Sequence, residues 1–357
     1  MTTKDKAEEA GASVSRRDFF RVAGNYGLSS TMIAASVMGA GFSLPQLAFA
    51  AETESKRRER KSAKHTLKFG ASGFNENNLL IERAGCLDFA RDIEDRTDGE
   101  IRVEFIGDNQ ICGQLNCVKK TQQGIIDMFT ASTQNSAGAA PYLNVLDYAY
   151  MFPTRASQYH FLYHPDSQRL LRDPLKKKHG LQFLFSHCEL RGLQMGLGWD
   201  DKPLITNIEQ LKGTKNRVTG TQLGRIAMEL LELNPVPIAW SETLDGLKQG
   251  LIDGAETWAG AVGSQSVDLR FFSGTEATMM DARIFDSFSA DLQEAVMESA
   301  YLTQVKIQAA QEAALVNTVG ATTPSLAGTL FDVHGVRMAS LSDAERAKAE
   351  RICAPAF

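Results

Sequence analysis

The chain has little of what reactive or metal chemistry demands. Five cysteines in 357 residues, Cys86, Cys112, Cys117, Cys188 and Cys353, are too few and too unevenly spaced for a disulfide-stapled scaffold. No second Cys or His pair stands at zinc spacing, and of the six histidines His160 and His164 alone share a helical spacing. They read as helix-surface residues without a carboxylate companion. A Gly-rich phosphate loop, a haem motif and a metal cluster are all missing, so no cofactor is expected. The net charge of −5 supplies no basic field and removes nucleic acid from the expected partners. After Ala51 no apolar run approaches the ~20 residues needed to cross a bilayer, which excludes a permease. Internal repeats and low-complexity segments are also lacking.

What is present begins with an export leader. Ser15-Arg16-Arg17-Asp18-Phe19-Phe20 precedes an uncharged run from Val22 to Ala51 that ends in Ala48-Phe49-Ala50. Paired arginines, an apolar stretch and small residues at an A-x-A cleavage site resemble a twin-arginine signal peptide over residues 1–50. Glycines, serines and a proline dilute the stretch, which argues against a permanent anchor. The periplasm is the expected destination. Residues 51–64 carry charges of both signs without an apolar face and read as a solvated spacer. In an oxidising destination Cys112 and Cys117, with Gly113 between them, form either a small-loop disulfide or two free thiols.

From His65 onward, strand and helix patterns alternate. His65 to Ser72, Glu100 to Ile106 and Ile126 to Ala131 read as strands; Leu79 to Thr97, Gln114 to Gln123 and Ala156 to Leu171 read as helices. Such alternation predicts parallel βαβ units in an α/β fold. The length after the leader suits two lobes. The first spans 65–187 with a return segment near 271–300, the second spans 188–270, and a C-terminal helical region occupies 301–357. Within Phe285 to Ala314, Ser289 is a candidate N-cap for a long helix free of Gly and Pro.

The stretch from Leu211 to Trp258 says most about function. It places Arg217 on a short strand that opens into a glycine-flanked helix, then a strand over Pro235 to Trp240, a helix from Ser241, and an Asp253-Gly254 turn into Ala255-Glu256-Thr257-Trp258. Polar and aromatic side chains gather at strand ends, where α/β sheets bind ligands. An arginine there suits a carboxylate; a plain surface or interlobe salt bridge is the alternative. Glu256 offers one general base, but one carboxylate without a paired acid, nucleophile or metal is a thin active site. An exported enzyme acting on a small organic acid, or a sensing receptor for another system, therefore stand as secondary readings.

Several blocks in order, HTLKFGAS, LDFARDIEDRTDGEIRVEFI, QQGIIDM, LKGTKNRV, NPVPIAW, LKQGLIDGAETW, FDSFSADLQEAV and GVRMASLSDAERAK, resemble the solute-binding proteins of TRAP transporters of the dicarboxylate-receptor type. The resemblance implies a two-lobed periplasmic binding protein fold, with a cleft between lobes and a long interlobe helix. It further implies capture of an organic acid and delivery to a TRAP permease with small and large membrane subunits, without catalysis. It assigns the ligand carboxylate to Arg217 of the K-x-R-V strand, suggests Arg191 as a second arginine, and places Trp240 over the ligand's carbon skeleton, with core packing as the alternative. Where the family carries Gln-Glu-Asn-Pro, this chain has Ala255-Glu256-Thr257-Trp258. Thr257 can still exchange hydrogen bonds, and Trp258 is expected to narrow the cleft. Loops near Asn75 and Ser132 are expected to face the same cleft.

Overall fold

The computed structural model of the protein describes residues 63–73, 85–259, 263–320 and 327–356. The leader, nearly all of the spacer, Asn75 and the first turns of the helix expected from Leu79 lie outside them. One nine-stranded sheet organises the rest. Its strands are β1 (His65–Ala71), β2 (Ile101–Ile106), β3 (Met128–Ser132), β4 (Leu181–Met195), β5 (Lys215–Val218), β6 (Asn234–Pro237), β7 (Gly254–Thr257), β8 (Gln265–Asp281) and β9 (Arg337–Ser340). Their order is β2-β1-β3-β8-β4-β7-β5-β6, with β9 beside β8.

The parallel expectation holds at the two ends and where β9 joins β8, but not at the centre. β1 runs parallel to β2 and β3, and β5 runs parallel to β6 and β7, but β3–β8, β4–β8 and β4–β7 are antiparallel. The reason is the pair of long central strands, 15 residues in β4 and 17 in β8. Every β4 residue except Leu190 is buried, so the strand lacks the one-sided alternation that marks its extent in sequence. Cys188, where the second lobe was expected to begin, sits in the middle of β4 rather than in a linker. The halves therefore share two continuous strands.

That shared ribbon is interrupted where it passes between the halves. The β4–β8 register jumps from Arg191↔Phe272 to Leu193↔Val267, an irregularity centred on Gly192. A Cβ there would stand 2.1 Å from the Val267 carbonyl oxygen, so only glycine fits. The bulge kinks the ladder next to Arg191.

Three cores follow from this layout. Phe69, Phe89, Ile93, Phe185, Val296 and Ile307 pack between the first half's sheet and the helices Cys86–Arg96 and Ala290–Val319. Ile126, Phe129, Leu143, Phe183 and Met279 fill the opposite face. Leu193, Val218, Met228, Phe271, Ala349 and Cys353 form the core of the second half. The last of these draws in the terminal helix Asp343–Cys353, and β9 lies in the sheet, so 301–357 is not helical throughout. Full burial of each such aromatic or aliphatic side chain contributes roughly 1.5–3 kcal/mol.

Local signals explain the helix ends. The Ser289 side chain accepts from the Leu292 N–H and starts the 30-residue helix Ala290–Val319, and the Ser342 side chain accepts from the Glu345 N–H at the last helix. The helix expected over Ala156 to Leu171 is split instead. Arg155–Tyr163 ends before Pro165, and a separate π turn covers Gln168–Arg172, because proline cannot donate to the preceding turn. No described helix is long and apolar enough to cross a membrane.

Candidate functional site

Strand β5 is followed by Thr219-Gly220-Thr221 and then the helix Gln222–Leu230, which puts Arg217 at the carboxyl end of a parallel strand flanked by β6 and β7. Its guanidinium is buried, with 2% of the residue exposed. Nε donates to the Ile238 carbonyl at 3.2 Å and Nη1 to the Glu256 carbonyl at 3.1 Å. The cation lies 5.5 Å from the centroid of the Trp240 ring. Among the described residues no carboxylate reaches ion-pair distance, and Nη2 has no acceptor. Burial, then repulsion from Arg191, lowers the Arg217 pKa to about 10 against the attraction of Glu256, so the group stays protonated at neutral pH.

Arg191 is committed elsewhere. Its Nε lies 2.7 Å from Glu256 Oε1, Nη2 donates to the Glu256 carbonyl at 3.0 Å, and Nη1 donates to Gln134 Oε1. In this structure the guanidinium expected to meet a ligand is paired with an internal carboxylate. Glu256 is likewise turned to an internal partner. The antiparallel pairing of β7 with β4 sets Glu256 opposite Leu193 and turns its side chain inward, fully buried. Thr257 is buried beside it, and Trp258 stands edge-on to His187 at 4.9 Å, packed against the central strands. None of the three lines the cleft, and the guanidinium of Arg217 lies just behind its wall, next to the lining residues Val218, Ile238 and Trp240. Two more buried carboxylates surround the pair. Asp147 accepts from Gln134 Nε2, and Glu276 accepts from Gln114 Nε2 at 2.9 Å. Burial pushes both up to about 7.

The cleft itself holds about 430 Å³. The first half contributes Ser72, Asn109, Gln114, Leu115, Asn116 and Asn135; the second contributes Val218, Gly220, Ile238, Trp240 and Ser241. Trp240 is 49% exposed, so the ring belongs to the cleft wall and not to a core. It opens the helix Trp240–Lys248 where a strand was expected, since β6 stops at Pro237. The halves touch across the cleft, the Gly220 N–H donating to Asn135 Oδ1 at 3.0 Å. Ser132 acts from behind: its N–H donates to Gln114 Oε1 at 2.7 Å, while its hydroxyl is buried without a partner.

Gln114, Asn109, Asn116 and Asn135 were not anticipated. They come from separate loops with no shared spacing; the neighbourhood of Cys112 and of the Ala131-Ser132 strand end was the only hint. His164 also differs from expectation, since Asp166 lies 3.6 Å from its Nδ1 once Pro165 has ended the helix. A larger hollow of about 830 Å³ beside the long helix is lined by Arg155, Glu189, Asp268, Arg270, Glu312 and Arg346, among others. Those charges already pair locally, Arg155 with Glu312, Arg270 with Asp268 and Arg346 with Asp343, so it offers no free cation among the described residues.

Comparison with known proteins identifies the architecture. Residues 73–355 match the family described as bacterial extracellular solute-binding protein, family 7 (DctP). The 2,3-diketo-L-gulonate-binding periplasmic protein YiaO of Escherichia coli K12 is 24% identical over 224 residues, 58% of this chain and 64% of that protein. Two curated relatives without an assigned role, from Salmonella typhimurium and Haemophilus influenzae, are 27% and 28% identical. The chain spans 49% to 64% of the length of these three relatives. In fold it is similar to the TRAP periplasmic solute-binding protein of Roseobacter denitrificans OCh 114 with bound L-galactonate, at TM-score 0.70 and 20% identity over 83% of this chain and 95% of that one. The corresponding Sulfitobacter protein with bound β-D-galacturonate gives TM-score 0.69 and 18% identity, over 82% and 93% of the two chains.

Proposed function

Because the chain belongs to the bacterial extracellular solute-binding proteins of family 7, we propose that it is a periplasmic receptor. In this reading it captures an organic acid between its halves and hands it to a TRAP permease of small and large membrane subunits. The observation that carries the reading is Arg217. A guanidinium held by two backbone carbonyls, without an internal carboxylate and with Nη2 unclaimed, is poised for an anion that binds in parallel with its fork. Trp240 supplies a flat apolar face beside it. The amides of Asn109, Gln114, Asn116 and Asn135 and the hydroxyls of Ser72 and Ser241 suit an acid that also bears hydroxyl or carbonyl groups. Relatives bound to or named for L-galactonate, β-D-galacturonate and 2,3-diketo-L-gulonate take acids of that kind, and another is bound to succinate.

The test is calorimetric titration with D-galacturonate, L-galactonate and succinate, beside native mass spectrometry of freshly purified protein. At least one acid should bind with one-to-one stoichiometry, and uncharged D-galactose should not. Equal affinity for galactose and galacturonate would remove the role given to the arginine.

A further inference from the structure

The loop that forms one wall of the cleft is stapled. Cys112 and Cys117 are joined by a disulfide, both are buried, and the four residues between them, Gly113 to Asn116, all line the cleft. This loop has few bonds of its own. The Gly113 N–H donates to Asn116 Oδ1 at 3.0 Å, and the Asn116 and Cys117 N–H groups donate to the Gly113 carbonyl at 2.9 and 3.1 Å. A cross-link five positions apart removes little freedom from the unfolded chain, since the chain-entropy benefit grows with loop length. Its principal effect is local.

What it holds in place is specific. Gln114 bridges two elements, donating to Glu276 on β8 and accepting from the Ser132 N–H at the end of β3. Leu115 is 60% exposed and contributes nothing to a core, yet its Cδ2 stands 3.1 Å from the position a Cβ on Gly220 would occupy in the opposite half. Gly220 is also the residue whose N–H reaches Asn135, itself 3.5 Å from Gln114. The stapled loop thus forms part of the surface on which the second half closes.

We infer that the Cys112–Cys117 disulfide is a positioning element of the binding site: it fixes Gln114 and Leu115 in the arrangement that closure needs, so ligand affinity depends on its oxidation. The affinity consequence rests on the receptor reading above; the positioning does not. An oxidising compartment keeps the bond intact, whereas a receptor folded with free thiols is a weaker binder.

The test compares oxidised wild type with C112S/C117S and with dithiothreitol-reduced wild type. Hydrogen exchange at the Ser132 and Gly220 amides should speed up tenfold or more in both thiol-free and reduced forms, while the β4 and β8 amides remain protected. Titration with D-galacturonate at 25 °C should show affinity lowered tenfold or more, recovering when the reduced protein is reoxidised. Unchanged exchange at both amides overturns the inference, and so does unchanged affinity in a protein whose only loss is in Tm. If oxidised wild type binds none of D-galacturonate, L-galactonate and succinate, that failure counts against the receptor reading, and the exchange arm decides the positioning alone.

Discussion

Removing Arg191 tests whether the buried charges behind the cleft act as one unit. Glu256 is fully buried, and Arg191 Nε at 2.7 Å is the nearest cation to its carboxylate, with Arg217 contributing a further attraction. Arg191→Ala leaves a buried carboxylate uncompensated, which costs roughly 3–5 kcal/mol and lowers Tm on the order of 10 °C. The cost has a predictable pH dependence. Burial already raises the Glu256 pKa, and losing Arg191 raises it further, so protonation relieves the variant in acid. Its deficit against wild type should therefore be smaller at pH 5 than at pH 8. A neutral pair, Arg191→Met with Glu256→Gln, should recover most of the loss, because Arg217 loses the attraction of Glu256 and the repulsion of Arg191 together. Thermal melts of wild type, Arg191→Met, Glu256→Gln and the double variant, at both pH values, supply the coupling energy. Equal deficits at pH 5 and pH 8, with no recovery in the double variant, would refute the argument.

Two further outcomes follow from the same geometry. Asp147 and Glu276 titrate near 7 in the fold and near their ordinary carboxylate values when unfolded. The native state then binds more protons between those limits, so their contribution favours the fold below about pH 4 and is lost as pH rises to about 7. Unfolding free energy measured by denaturant titration should fall across that window, and Asp147→Asn with Glu276→Gln should flatten the slope; an unchanged slope would sink this assignment. Gly192→Ala drives a Cβ into the Val267 carbonyl and should cost roughly 1–3 kcal/mol or more. Gly138→Ala, with open space at its Cβ, should be near neutral, and a similar melt for both would contradict the account of the bulge.

The sequence makes the arginine proposed to bind the ligand legible and hides most of its surroundings. Arg217 is readable because a short strand, a glycine and a helix follow one another, and that order specifies a strand end. Trp240 is found for the same reason, although proline-rich NPVP shortens the strand and moves the tryptophan onto a helix. The central strands escape a pattern reading. LQFLFSHCELRGLQM carries His187, Glu189 and Arg191 on a strand buried on both faces, so polar residues that mark a boundary elsewhere mark internal pairing here. Period-two alternation also carries no direction, so the pattern alone does not distinguish the antiparallel centre from a parallel sheet. Gln114, Asn135 and Asp147 converge only through tertiary structure.

The most direct test of the central claim is calorimetric titration of Arg217→Ala and Arg217→Lys with the acid that wild type binds. The alanine variant should lose a hundredfold or more in affinity, as expected for a buried ion pair deprived of one partner at roughly 3–5 kcal/mol. The lysine variant should retain a fraction, because a point charge replaces a planar fork. An alanine variant that remains folded and binds within twofold of wild type would contradict the account.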